Sequence, residues 1–183
     1  MKEGVCVPQV TFKMRAGDEL QPDTDGCPIG GVWVDKTTKD LFGEKRVVVF
    51  SLPGAYTPTC STQQLPGFEE NYEEFESLGI DSIYCVSVND AFVMNAWGDI
   101  LGAHRVELIP DGNGQFTRQM GMLVDKENLG FGPRSWRYAM VVNDGVIEAF
   151  FEEPGRSDNF DDDPYGESSP GNVLSWLQNH SVV

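Results

Sequence analysis

The sequence predicts an α/β fold in which a mixed central sheet carries helices on both faces. Between residues 46 and 88, a valine-rich run, an amphipathic stretch and a second apolar run follow one another, which is typical of a parallel βαβ unit. Later in the chain, two apolar runs are separated only by Asn143-Asp144-Gly145, a typical hairpin turn, so antiparallel strands are expected too. The 183 residues contain no repeat or linker, and we expect one domain over residues 1–183.

The N-terminal segment predicts two short strands. Residues 8–15 alternate weakly between apolar and polar side chains and predict the first strand. Residues 16–30 are rich in Gly, Pro and Asp, which predicts a loop. The second short strand is expected over residues 32–34, followed by a turn over residues 37–43.

The βαβ unit is the most regular part of the sequence. Residues 46–52 form a continuous apolar run, as expected of a strand buried on both faces, and residues 83–88 form another. Between them, apolar side chains recur at three- and four-residue steps and predict one helix, through Leu65, Phe68, Tyr72, Phe75 and Leu78. Pro66 is expected to kink this helix near its second turn, and Gly79 to cap its C-terminus.

The remaining elements complete a thioredoxin-like arrangement. Asn89 and Asp90 are expected to cap a further helix. Beyond this helix we expect a strand over residues 106–109, a short helix over 116–120 and hairpin strands over 138–142 and 146–151. A long acidic loop is expected over residues 152–169, with a solvated Asp161–Asp163 run. Ser169 and Pro170 then start the last helix. The order β-α-β, an inserted helical segment, then β-β-α predicts a thioredoxin-like fold.

The composition excludes several classes of protein. With 13 basic and 29 acidic side chains, the net charge of −16 repels phosphate backbones, so we expect no nucleic-acid partner. No apolar run is long enough to span a membrane, and the N-terminus lacks the apolar core of a signal peptide. The four cysteines are far apart, with no Cys-x-x-Cys pair and only two histidines, which predicts free thiols in a reducing cytoplasm and no metal site.

Cys60 is the candidate nucleophile. It follows the first buried strand near the start of the predicted helix, where free N–H groups and the helix dipole stabilise a thiolate over a thiol. Thr57 stands three residues earlier, where a turn would bring its hydroxyl beside the sulfur. A buried, inert cysteine, an N-capping threonine and a strand-ending Pro53 are the alternatives that position alone leaves open.

The segment around Cys60 resembles the peroxiredoxin signature, Pro53-x-x-x-Thr57-x-x-Cys60. The wider sequence SLPGAYTPTCSTQQLPGF resembles the peroxiredoxin-five group, including plant type II enzymes and the bacterial glutaredoxin-linked branch. Three further blocks match in chain order: CVSVNDAFVMNAW, LIPDGNGQFTRQMGM and WRYAMVVNDG. The resemblance covers most of residues 8–179.

The resemblance implies a thiol-dependent peroxidase that needs no metal or organic cofactor. The Cys60 thiolate would attack hydrogen peroxide or an alkyl hydroperoxide and become a sulfenic acid. The family's arginine falls on Arg137, with Arg134 as a competitor, and would stabilise the thiolate and the developing charge. Thr57 would help to hold the peroxide, and Pro53 would shield the sulfur from water.

The resemblance also bears on recycling and assembly. Many relatives have a histidine four residues after the reactive cysteine, where this chain has Gln64, and no cysteine follows Cys85. Phe160, Ser168 and Ser169 occupy the loop where relatives carry a resolving cysteine. We therefore expect a one-cysteine mechanism with glutathione and glutaredoxin, or thioredoxin, as external reductant. Phe92 and Trp97 are expected mainly in the core at helical spacing. The resemblance implies a homodimer through the active-site side, and some aromatic exposure at these residues would suit such a contact.

Three other interpretations of the cysteines stay open at this point. A thioredoxin-type thiol–disulfide oxidoreductase is disfavoured because no Cys-x-x-Cys pair is present. A redox-sensing or holdase protein with little turnover would use Cys60 as a signal instead. Cys85 lies mid-strand and is expected to be core, whereas Cys6 or Cys27 could resolve oxidised Cys60.

Overall fold

The computed structural model describes residues 2–20 and 30–180 of the chain. Its nine strands, in chain order, are β1 (Thr11–Leu20), β2 (Gly30–Thr37), β3 (Arg46–Ser51), β4 (Ser82–Ser87), β5 (Glu107–Pro110), β6 (Leu123–Asp125), β7 (Pro133–Ser135), β8 (Tyr138–Asn143) and β9 (Val146–Glu152). Its α-helices are α1 (Thr38–Phe42), α2 (Leu65–Glu70), α3 (Tyr72–Ser77), α4 (Ala91–Leu101), α5 (Gln115–Gln119) and α6 (Pro170–Asn179). A π-helical turn covers Cys60–Gln64, and a 3-10 turn covers Glu127–Leu129.

The central sheet is mixed, as predicted, with the strand order β5-β4-β3-β8-β9. β3 lies in the middle and runs parallel to β4, which in turn is parallel to β5. On its other side β3 is antiparallel to β8, and β8 forms a hairpin with β9. The predicted βαβ unit and the late hairpin are therefore both confirmed, and the thioredoxin-like fold with them.

Both faces of the sheet are buried, because alternate side chains of each central strand enter different cores. In β3, Val47 and Val49 pack on one face, whereas Val48 and Phe50 pack on the other. The first face is covered by α1, α5 and the β1–β2 hairpin, through Leu41, Phe42, Phe116, Val10 and Phe12. The second face is covered by α2, α3, α4 and α6, through Leu65, Phe68, Phe75, Met94, Trp97, Val173, Leu174 and Leu177.

Substitution of Phe68 tests how much the second core contributes to the stability of the fold. Its ring stacks on Phe50 with centroids 4.2 Å apart and contacts Phe75 at 5.6 Å. We expect Phe68→Ala to lower the free energy of unfolding by about 3–5 kcal/mol, because it removes a fully buried ring and leaves a cavity. Ile100 is 71% exposed, so Ile100→Ala should change stability by only about 0.5 kcal/mol. Urea unfolding of both variants measures the difference, and equal losses would contradict this view of the core.

The N-terminal region differs from the prediction in two places. β1 continues to Leu20 and β2 starts at Gly30, so strand replaces part of the loop expected over residues 16–30. The turn expected over residues 37–43 is a short helix, α1. Its N-terminus is a capping box, in which the Thr37 hydroxyl accepts from the Asp40 N–H and the Asp40 carboxylate accepts from the Thr37 N–H.

The helix predicted over residues 65–78 is divided into α2 and α3. The helix is also distorted, but at a different turn from the one predicted. Asn71 separates α2 from α3, with φ −96° and ψ 10°. Pro66 does not kink α2 at its second turn; the distortion lies before it, in the π-helical turn, where the Leu65 N–H donates to the Cys60 carbonyl. A wider turn gives the proline ring room against the preceding carbonyls. Gly79 ends α3 as predicted, with φ +83°.

The C-terminal elements follow the prediction closely. Asp90 caps α4 through the Val93 N–H at 3.0 Å, and Ser169 caps α6 through the Asn172 N–H at 3.3 Å. Residues 153–169 contain no helix or strand, as expected of the acidic loop. Among residues 2–20 and 30–180, no helix is long and apolar enough to cross a membrane.

Candidate active site

Cys60 lies one short loop beyond the central strand β3, in the first turn of the helix that begins at residue 58. Its side chain is fully buried in the second core. The Asn89 side chain holds the loop before it, because its Oδ1 accepts from the Ala55 N–H at 3.0 Å. Tyr56 in this loop has φ +65°, an uncommon conformation for a tyrosine. Such strain is frequent at functional sites, where the surroundings hold it in place.

Arg137 is the cation that contacts the sulfur. It stands directly before β8, next to β3, so sheet pairing brings it beside Cys60 across 77 residues of sequence. Its Nη1 lies 3.5 Å from Cys60 Sγ, and the same nitrogen donates to Gln64 Oε1. Its Nη2 donates to Asp163 Oδ1 at 2.6 Å. The structure therefore brings together the two predicted residues whose chemistry is strongest.

The charge of Arg137 is held in place by its anionic neighbours. Burial alone would lower the pKa of Arg137, but the Cys60 thiolate and the Asp163 carboxylate raise it above its ordinary value. The guanidinium therefore stays cationic although only 1% of its side chain is exposed. A fixed cation therefore lies 3.5 Å from the Cys60 sulfur in a buried site.

Thr57 and Pro53 lie in the loop before Cys60, and neither side chain has a hydrogen bond to the sulfur among the described residues. The Thr57 hydroxyl donates to the Gly54 carbonyl at 2.8 Å. That donation orients the hydroxyl and leaves its oxygen lone pairs free to accept a hydrogen bond from a ligand. Pro53 is buried and lines a narrow gap together with Arg137 and Asp163.

Arg134, the competing arginine, makes different contacts. Its Nη1 donates to the Val88 carbonyl at 3.2 Å, and its Nε donates to the Phe131 carbonyl at 3.1 Å. It also packs closely against Gly54, where a Cβ atom would come within 2.9 Å of its Nη1. Arg134 thus supports the loop before Cys60, whereas Arg137 contacts the sulfur.

Gln64 is part of the site, although the sequence indicated only that it replaces a titratable residue. It lies at the end of the π-helical turn, is fully buried, and accepts from Arg137 through Oε1. Its Nε2 has no hydrogen-bond partner among the described residues. A neutral amide that cannot titrate therefore fixes one edge of the guanidinium at any pH.

Asp163 and Tyr165 are site residues that sequence reasoning missed. The Asp161–Asp163 run is exposed, as expected, but the sequence did not reveal that the Asp163 carboxylate also pairs with Arg137. The Tyr165 ring lies over the same guanidinium, 5.7 Å from its carbon. No local pattern distinguishes Asp163 from its two neighbours, so only the folded loop reveals the pairing.

The other cysteines are buried in the core, distant from Cys60, or outside the described residues. Cys85 is fully buried in β4, and burial raises the pKa of its thiol well above the usual range. Cys6 is exposed and pairs with Val146, at the turn end of the β8–β9 hairpin. That end is about 20 Å from Arg137, the length of a six-residue strand. Cys27 lies outside the described residues, which themselves contain no cluster that could hold a metal ion.

Comparison with known proteins decides the family. Residues 15–166 match the Redoxin family. Peroxiredoxin y4vD of Sinorhizobium fredii is 62% identical over 172 residues, which cover 94% of this chain and 89% of that protein. This chain belongs to the peroxiredoxin family. It is therefore a thiol-dependent peroxidase, an oxidoreductase that acts on peroxide with a thiol as reductant.

Two further relatives place this peroxiredoxin more closely. The hybrid peroxiredoxin hyPrx5 of Haemophilus influenzae is 50% identical over 175 residues, covering 96% of this chain and 66% of that protein. The crystal structure of the Plasmodium falciparum antioxidant protein, a 1-Cys peroxiredoxin, superimposes with a TM-score of 0.86 at 36% identity and covers 98% of this chain and 99% of that one. The predicted membership of the peroxiredoxin-five group is confirmed.

Proposed function

We propose that this peroxiredoxin reduces hydrogen peroxide and alkyl hydroperoxides through the Cys60 thiolate. The observation that supports this assignment is the 3.5 Å contact between Arg137 Nη1 and Cys60 Sγ in a buried site. The sulfur attacks the terminal peroxide oxygen, an S–O bond forms and the O–O bond breaks. Sulfur is thereby oxidised by two electrons to a sulfenic acid, and the leaving oxygen takes a proton to become water or an alcohol.

The residues around Cys60 fit the charge changes of this step. Negative charge moves from sulfur to the leaving oxygen, so donors along that line stabilise the transition state. Arg137 supplies N–H groups beside the sulfur, and the Thr57 hydroxyl oxygen can accept a hydrogen bond from the peroxide O–H, which stays on the oxygen that bonds to sulfur. Pro53 is buried and lines the narrow gap beside Arg137, where we infer that it limits the access of water.

We further propose that an external thiol regenerates Cys60. The sulfenic acid condenses with a thiol to give a mixed disulfide and water, and a second thiol releases the reduced Cys60. Cys85 is a poor resolving thiol because it is buried and its raised pKa disfavours the thiolate. Because Cys60 is also fully buried, the first helical turn has to open before a thiol of glutathione size reaches the sulfur.

The reductant is tested by comparing two recycling systems. Peroxide consumption is measured with glutathione plus glutaredoxin and, separately, with thioredoxin and its reductase, and Cys60→Ser serves as the control in each. We expect at least one system to sustain many turnovers that depend on Cys60. Consumption of a single equivalent with both systems would contradict the proposal and favour a redox sensor with little turnover.

Mass spectrometry tests the one-cysteine mechanism. After one equivalent of peroxide without added thiol, we expect Cys60 as a sulfenic or further oxidised acid, and after glutathione is added we expect a Cys60–glutathione disulfide. The reason is that no described cysteine is both accessible and close to Cys60. A disulfide from Cys60 to Cys85, Cys6 or Cys27, lost together with turnover in the matching Ser variant, would overturn this mechanism.

We also propose a homodimer in a reducing cytoplasm. Tyr56 is 51% exposed beside the Cys60 loop, and Phe92, three residues beyond the Asn89 that holds this loop, is 41% exposed. Exposed aromatic side chains beside a site are typical of interface residues. The three described cysteines are free thiols, which fits a reducing compartment. Sedimentation velocity of the wild type and Phe92→Asp tests the dimer, and a monomeric wild type would contradict it.

A further inference from the structure

The acidic loop over residues 153–169 contacts Arg137 at both its backbone and its side chain. The Glu153 N–H donates to the Arg137 carbonyl at 3.2 Å. At the other end of the residue, Arg137 Nη2 donates to Asp163 Oδ1 at 2.6 Å, and the Tyr165 ring covers the guanidinium. A loop whose composition predicts a solvated surface segment therefore forms one wall of the active site.

The loop is held in this position by a buried carboxylate. Glu153 Oε1 accepts three hydrogen bonds, from the Gly166 N–H at 2.8 Å, the Ser168 N–H at 2.8 Å and the Ser168 hydroxyl at 2.7 Å. These bonds join the two ends of the loop. The Phe160 ring also packs against Trp136, with centroids 5.5 Å apart. These contacts hold the backbone of the loop on both sides of Asp163 and thereby fix the position of its carboxylate.

Only one of the three consecutive aspartates faces the site. Asp161 and Asp162 are exposed and make no hydrogen bond or ion pair among the described residues. Asp163 is 46% exposed, but its partner Arg137 is almost completely buried. The ion pair therefore closes the solvent side of the guanidinium, and the neighbouring aspartates provide matched controls of equal charge.

The guanidinium depends on few contacts for its orientation. Arg137 Nε is buried without a hydrogen-bond partner among the described residues. The contacts with Gln64 and Cys60 Sγ are both made by Nη1, so they fix the position of one nitrogen only. A hydrogen bond at another nitrogen is needed to fix the plane of the guanidinium. Nη2 supplies it through its charge-assisted bond to Asp163, the stronger kind of hydrogen bond.

We propose that Asp163 is a positioning residue for the peroxidase reaction, whose carboxylate holds the Arg137 guanidinium so that Nη1 stays against Cys60 Sγ. This inference rests on the proposed function of Cys60. The carboxylate also has an opposing electrostatic effect, because a negative charge near the sulfur disfavours the thiolate. Lys126 lines the same gap as Arg137 and Asp163, and its ammonium lies 5.2 Å from the Trp136 ring centroid.

Two substitutions at Asp163 separate position from charge. Asp163→Asn keeps an oxygen that accepts from Arg137 but removes the negative charge, whereas Asp163→Ala removes both. We expect Asp163→Ala to slow the reaction of reduced protein with one equivalent of peroxide by about tenfold to a hundredfold, the loss expected of a displaced reacting group. Asp163→Asn should retain most of the rate, because asparagine keeps an oxygen that accepts from Arg137. Asp162→Ala and Asp162→Asn should match the wild type.

The Asp163 variants test the positioning role of Asp163, whereas Cys60→Ser tests the proposed role of Cys60, so the two can fail separately. If Asp163→Ala reacts as fast as Asp162→Ala, the positioning role is overturned. Equal losses in Asp163→Ala and Asp163→Asn would also overturn it, since asparagine keeps the acceptor. Activity in Cys60→Ser would instead refute the role of Cys60 itself. If Asp163→Ala does not fold, Asp163→Leu, which also removes both oxygens but keeps a similar volume, is compared with Asp162→Leu, and equal rates overturn the proposal.

Discussion

Cys60→Ser is expected to abolish peroxide reduction, which is the largest effect of any substitution considered. A serine hydroxyl is not ionised near neutral pH and is a weak nucleophile without a neighbouring base. Cys60 is also the cysteine whose sulfur contacts the Arg137 guanidinium. Steady-state consumption of hydrogen peroxide with excess thiol measures the loss.

Cys85→Ser is the matched control for this substitution. Cys85 has the same burial as Cys60 but lies mid-strand in β4, and the pKa of its thiol is raised well above the usual range. We expect this variant to keep most of its activity and to lose about 1–2 kcal/mol of stability, because a hydroxyl enters an apolar core. Full activity in Cys60→Ser, or none in Cys85→Ser, would contradict the assignment.

Arg137→Met is expected to slow the reaction with peroxide by on the order of 10²-fold, equivalent to about 3 kcal/mol of lost electrostatic stabilisation. Methionine fills much of the same volume but offers neither charge nor N–H donors to the sulfur. Stopped-flow measurement of the reaction between the reduced protein and peroxide gives the rate.

Arg134→Met and Thr57→Val complete this test. Arg134 bonds to backbone carbonyls beside the site but not to Cys60, so its loss should affect the reaction less than the loss of Arg137. Thr57→Val keeps the shape of the side chain and removes its hydroxyl, and we expect a loss comparable to that of Arg137→Met. A larger effect from Arg134 than from Arg137 would mean that the wrong arginine has been assigned.

Local sequence patterns predicted the framework of the site well. The apolar runs that became β3 and β4 and the hairpin turn at residues 143–145 defined a sheet that brings residue 137 next to the end of β3. The strand and turn predictions succeed because strand burial and turn chemistry are local properties. The resemblance to peroxiredoxins, and not a local pattern, then pointed to Arg137 as the residue that meets Cys60 there.

The rest of the site depends on contacts that local patterns do not specify. Gln64 and Asp163 bond to Arg137 across 73 and 26 residues, and nothing in the Asp161–Asp163 run marks its third member. The π-helical turn arises where Pro66 removes a donor from a helix, and the sequence suggested a kink at the wrong turn. By contrast, the helix α1 could have been found, because Thr37 and Asp40 have the spacing of a capping box.

Trapping the sulfenic acid tests the central claim most directly. Fully reduced protein is treated with one equivalent of hydrogen peroxide in the presence of a sulfenic-acid-specific label, and the label is mapped to each of the four cysteines by peptide mass spectrometry. We predict label on Cys60 alone, formed as fast as peroxide disappears. Label on Cys85, Cys6 or Cys27 while Cys60 stays reduced would contradict the account.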